Sequence, residues 1–129
     1  MTIWMIIGGI IVLFLLMKGG SLMGPKDGNL DAAQAKAWMA EEKALQVIDV
    51  RSANEHRQGH LPGAKLIPLG ELGSRLSELD ASKPVLIHCA SGGRSAMALR
   101  TLRARGFASA KHLAGGIHAW QAAGFPVAR

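Results

Sequence analysis

His88-Cys89-Ala90-Ser91-Gly92-Gly93-Arg94-Ser95 is the stretch on which the fold turns, and it holds the chain's one cysteine. An apolar run, Pro84-Val85-Leu86-Ile87, leads into it, and Ser95 to Arg103, rich in helix formers, leads out. A thiol therefore falls where a buried strand gives way to a helix. The first N–H groups of a helix lack intrahelical partners and lie at the positive end of its dipole, so an anion is favoured there. The position predicts a cysteine with a depressed pKa, a thiolate nucleophile in an anion-binding cradle. Gly92 and Gly93 are expected to supply the positive φ angles that a tight amide cradle requires.

The flanking segments alternate between strand and helix patterns. Asp31-Ala32-Ala33-Gln34 reads as a capping box, and Ala35, Trp38 and Met39 follow at helical spacing, which predicts a helix over 32–42. Residues 44–50 are rich in branched side chains and read as a buried strand ending at Asp49-Val50-Arg51. Asp49 and Arg51 are read as an ion pair or backbone caps beneath the site. Glu55, His56 and His60 follow. Two histidines four apart share a helix face only if the segment is helical, and the glycine and proline around His60 argue against that, so His60 is read as a turn residue that orders backbone. Residues 64–68 predict a second strand. Leu69, Leu72, Leu76 and Leu79 recur every three or four residues and predict one amphipathic helix. A helix over 94–105 with Ala98, Leu99 and Leu102 inward, a strand over 110–113 and a short helix around 117–120 complete the chain. The class is α/β with a largely parallel sheet.

Composition narrows the chemistry. The sequence has 129 residues and a net charge of +6. Its basic residues are scattered, it has no tyrosine, and aromatic residues do not interleave with the charges, so nucleic acid is not an expected partner. One cysteine excludes an internal disulfide framework and a thiol-built zinc site; neither a metal nor another cofactor is expected.

Residues 3–17 are continuously apolar apart from glycine. As a helix this run spans about 22 Å, and its flanks extend it toward the ~30 Å of a hydrocarbon core. No basic residue precedes the run and no A-x-A-like cleavage site follows it. The expected organisation is a transmembrane anchor over 1–23, a linker over 24–29 and a catalytic domain over 30–129. Lys18 and Lys26 on the C-terminal side of the run place that domain on the cytoplasmic side of the cell membrane.

Four blocks together resemble the rhodanese-like domains. They are Asp49-Val50-Arg51 with Glu55; Gly59-His60-Leu61-Pro62-Gly63-Ala64 with Ile67-Pro68; the Cys89 loop closed by Arg94-Ser95; and Leu113-Ala114-Gly115-Gly116 with Trp120, Gly124 and Pro126. The resemblance implies a three-layer α/β/α fold. It also implies a sulfurtransferase in which Cys89 takes a sulfane sulfur from a donor as a persulfide and passes it to a thiophilic acceptor. The six-residue loop from Cys89 to Arg94 is the length of the sulfurtransferase branch; phosphatase-like members carry a longer one. Ala90, Ser91, Gly92, Gly93, Arg94 and Ser95 fall on the substrate-binding loop, and Asp49, Arg51, Glu55 and His60 on scaffold positions around it. Arg94 either offers its charge to an anionic donor or binds the loop's carbonyls.

With no second thiol in this sequence, the acceptor is external: cyanide, a small thiol or an acceptor protein. The loop interior carries no charged side chain, so a small or protein persulfide stands beside thiosulfate as the expected donor. Two other readings use the same residues: a membrane-tethered binding module with the loop as an anion pocket, and a phosphatase or arsenate reductase acting through the same thiolate.

Overall fold

A computed structural model describes residues 28–129. The expected anchor over 1–23 and the linker up to residue 27 lie outside the described residues. Among the described residues, no helix is long and apolar enough to cross a membrane.

Among the described residues, five strands form one sheet, and its strands pair in parallel throughout. They are β1 (Asn29–Leu30), β2 (Gln46–Asp49), β3 (Lys65–Leu66), β4 (Val85–His88) and β5 (Ala110–Leu113), in spatial order β1-β5-β4-β2-β3. β4 lies at the centre, and all four of its residues are buried. That explains its unbroken apolar run, because a parallel strand covered on both faces cannot alternate polar with apolar. Burying each of Val85, Leu86 and Ile87 stabilises the fold by about 2 kcal/mol.

The strand period of two divides the interior into two cores. Ile48, Val50, Val85, Ile87 and Cys89 face one layer, where Leu72, Ala98, Leu99 and Leu102 pack on them. Leu30, Leu86 and Leu113 face the other, against Ala35, Leu61, Ile117 and Trp120. The helices of the first layer are α3 (Leu69–Leu72) and α4 (Gly93–Ala104); those of the second are α1 (Ala32–Glu41) and α5 (Gly116–Ala122). The capping box at Asp31 forms as its residues imply: the Asp31 side chain accepts from the Gln34 N–H, and the Gln34 side chain accepts from the Asp31 N–H.

Three expectations require correction. The leucines at 69, 72, 76 and 79 do not lie on one helix. α3 spans four residues, and a 3-10 turn over Leu76–Glu78 follows after a break at Gly73. Gly70 and Gly73 lower helix propensity within the run, and Leu72 is buried while Leu69, Leu76 and Leu79 pack against the same core from separate turns. Residues 53–58 form a helix, α2 (Ala53–Gln58). Its start is a capping box between Ser52 and Glu55. Asn29, assigned to the linker, belongs to β1 and pairs with His112.

Candidate active site

β4 ends at His88, and the next residue, Cys89, is buried in the layer beneath α4. The chain must then turn sharply to begin α4 at Gly93. Gly92 makes that turn with φ +113°, and a Cβ there would lie 1.9 Å from the Ala114 carbonyl oxygen. Gly93 is not left-handed; it is the first residue of the helix. The glycine that serves the loop alongside Gly92 is Gly116, with φ +63°, where a Cβ would lie 2.2 Å from the Ala90 carbonyl oxygen. Close approach of two backbones thus demands Gly92 and Gly116.

The turn aims the first amides of α4 at sulfur. Cys89 Sγ accepts from the Gly92 N–H at 3.1 Å and from the Ser95 N–H at 3.3 Å, and the Ser95 hydroxyl lies 3.4 Å away. Burial pushes the Cys89 thiol up. Hydrogen bonds from the Ser95 hydroxyl and N–H and from the N–H groups of Gly92 and Ser91 outweigh it, and the thiol lies below its ordinary range. The start of α5 supports the loop from behind. The Ile117 N–H donates to the Cys89 carbonyl at 2.9 Å, and the His118 N–H donates to the Ala90 carbonyl at 3.1 Å. Two helix N-termini therefore converge, one on the sulfur and one on the loop's carbonyls.

Arg94, expected either to offer its charge to an anionic donor or to bind the loop's carbonyls, has a carboxylate partner from α2. Its guanidinium makes a bidentate pair with Glu55, at 2.7 and 2.9 Å. The Arg94 hydrogen bonds hold the Glu55 carboxyl down at about 2, against the opposing effect of burial. The loop-closing cation is thus neutralised on the spot by a residue from α2.

Asp49 and Arg51 form the support beneath. Arg51 donates to both Asp49 carboxylate oxygens at 2.9 Å and to the Gly59 carbonyl at 2.6 Å. Burial pushes Asp49 up, but Arg51, the His88 ring and the His56 ring outweigh it and hold the carboxyl below its usual range. This network ties the end of β2 to the last turn of α2, the helix that carries Glu55, and to the residue that follows it. His60 lies beyond α2; its ring stacks on His56 at 3.8 Å, and its backbone bridges Ala128. His56 was not among the expected scaffold residues, although its bond to Asp49 makes it one. Between α2 and α5 is a cavity of about 230 Å³, lined by Arg51, Glu55, Gln58, Gly59, Ile117, His118 and Gln121.

A parallel α/β sheet that delivers a buried thiol into the amide cradle of a helix start defines a class: single-cysteine, anion-stabilising domains. The chain belongs to the rhodanese-like family, whose domain matches residues 31–123. It is 32% identical over 115 residues to a putative sulfur carrier protein, YrkF, of Bacillus subtilis, an alignment covering 87% of this chain and 62% of that protein. It is also 32% identical over 98 residues to a sulfurtransferase of Allochromatium vinosum, covering 76% of this chain and 92% of that one. Among solved structures, a rhodanese-related protein from Thermoplasma volcanium superposes with a TM-score of 0.71 at 32% identity, over 78% of this chain and 96% of that one. The chain spans less than two thirds of the length of several curated relatives, YrkF among them.

Proposed function

We propose that the protein is a sulfurtransferase that moves a sulfane sulfur through a persulfide on Cys89. The observation that carries this reading is the set of N–H groups trained on Cys89 Sγ at the start of α4. The Cys89 thiolate attacks the outer sulfur of the donor. The donor's S–S bond breaks as the new Cys89 S–S bond forms, and the donor's inner sulfur leaves with the electron pair. The product, a Cys89 persulfide, is again an anion, and the same amides and helix dipole that held the thiolate favour it. A thiolate or cyanide then attacks the outer sulfur, the new S–S bond breaks, and Cys89 leaves as thiolate. The sequence has no second thiol, so the acceptor comes from outside it and the cycle is ping-pong.

The Glu55–Arg94 pair bears on the donor. With the one cation of the loop neutralised and the loop interior uncharged, the site offers a dianion little beyond backbone N–H groups. A persulfide donor, with less charge to bring out of water, fits better than thiosulfate. Thiocyanate formation with cyanide and several sulfane donors tests the proposal. Transfer by the native protein and its loss in Cys89→Ser, with an unchanged melting curve, is the expected result. Native protein inactive with every donor overturns it. The membrane anchor over 1–23 and the cytoplasmic placement belong to the same proposal; fractionation of full-length protein with membranes tests them.

A further inference from the structure

Behind the cradle, a buried chain of polar side chains runs from Cys89 to the edge of the sheet. Ser95 Oγ lies 3.4 Å from Cys89 Sγ and 2.8 Å from His112 Nδ1. His112 Nε2 lies 2.7 Å from Asn29 Oδ1. Cys89, Ser95 and His112 are all buried. Topology brings them together: His112 is on β5, beside β4, with its side chain on the face covered by α4, and Asn29 is its register partner on β1.

The proton inventory of this chain admits two consistent states. An amide oxygen can only accept, so His112 Nε2 carries a proton in both. In one state, the Cys89 thiol donates to Ser95 Oγ, the Ser95 hydroxyl donates to His112 Nδ1, and the imidazole is neutral. In the other, His112 Nδ1–H donates to Ser95 Oγ and the Ser95 hydroxyl donates to the Cys89 thiolate. Passage between them breaks the S–H bond, forms and breaks one O–H bond each, and forms an N–H bond. No proton is gained or lost. The Gly92 carbonyl, 3.2 Å from Ser95 Oγ, is the longer alternative for the same hydroxyl.

We infer that His112 is a positioning residue that takes up the Cys89 thiol proton through Ser95, so that thiolate and imidazolium form together. The charged groups around it make this coupling tight. Arg100 and Arg103 of α4 line the same cavity, about 420 Å³, as Asn29 and His112. Lys111, the residue before it on β5, points to the opposite face, over the Trp38 ring. β1 contributes the neutral Asn29, and β4 leads to Cys89. The Arg100 guanidinium opposes a further positive charge on His112 and favours a negative one on sulfur. The thiolate facing it through Ser95 favours the imidazolium.

The inference rests on Cys89 being the reacting thiolate, and its test uses no sulfur donor, so its failure is distinct from failure of the sulfurtransferase reading. With one cysteine and no tyrosine, the pH-dependent ultraviolet absorbance of the thiolate can be followed as a change above the background of the three tryptophans. In His112→Gln the thiolate population at pH 6 is expected to fall about tenfold. Ser95→Ala should lose at least as much, because it also removes the hydroxyl beside the sulfur, and the double variant should be no worse than Ser95→Ala alone, because both cut one chain. Superimposable profiles for native protein and His112→Gln, or additive losses in the double variant, overturn the inference. If either variant fails to fold, nitrogen NMR of the histidines decides between native protein and Cys89→Ser. The His112 titration should move to lower pH once the thiolate is gone, and an unmoved titration overturns the inference.

Discussion

Glu55 shows how one side chain can set the charge of a site without touching its nucleophile. It comes from α2, reaches across to Arg94 and neutralises the loop's cation. Glu55→Gln keeps the cap of α2, because glutamine also serves at that position, and releases the guanidinium. The expected outcome in steady-state kinetics is a KM for thiosulfate lowered several-fold, with a smaller change for a persulfide donor; equal shifts for both would contradict the charge argument. Cys89 was legible in the sequence because a lone thiol between an apolar run and a helix former has few other meanings. Arg94 was legible as a site residue but not as half of an ion pair, because its partner lies 39 residues away and pairs with it only once the sheet has formed. His112 carried no signal at all. In sequence it is one residue of a short strand, and only the pairing of β1, β5 and β4 gives it Asn29 on one side and Ser95 on the other.

At the scale of elements, the strand–loop–helix unit depends on close contact between two backbones, and the paired glycines are not equivalent. Gly92→Ala places a Cβ 1.9 Å from the Ala114 carbonyl oxygen at a φ of +113°. It should cost about 2 kcal/mol or more in urea unfolding and disturb the cradle. Gly93→Ala meets nothing within 4 Å at a helical position, and its stability should match native within about 0.5 kcal/mol. Equal losses for the two would contradict this account of the loop. Sequence pattern located the helices at 32–41 and 93–104 to within a residue or so, because the first opens on the Asp31 capping box and the second carries Ala98, Leu99 and Leu102 on one buried face. It failed at 69–79, where leucines at helical spacing serve two separate turns, and at 53–58, where a six-residue helix with no buried residue has no apolar stripe to show.

Across the whole molecule, the polar support beneath the site makes stability depend on acid. His88 is buried at the end of the central strand, and its burial pushes it down to about 4 from an ordinary 6.5. The unfolded chain takes up this proton below about pH 6.5 and the folded chain refuses it until about pH 4, so stability is full above that window and declines as pH falls through it. The loss amounts to about 3 kcal/mol once both states are protonated. Glu55 adds a loss of the same sign at lower pH, between 4.5 and about 2. Urea unfolding across this range should show the decline. His88→Gln should flatten its upper part, and an unchanged slope would contradict the assignment to His88.

The central claim is a sulfur atom held on Cys89, and the intact mass of the protein after exposure to a sulfane donor tests it most directly. The account predicts an increase by one sulfur atom, reversed by cyanide or a thiol and absent in Cys89→Ser. Native protein that gains no sulfur from a small persulfide, a protein persulfide or thiosulfate would contradict it.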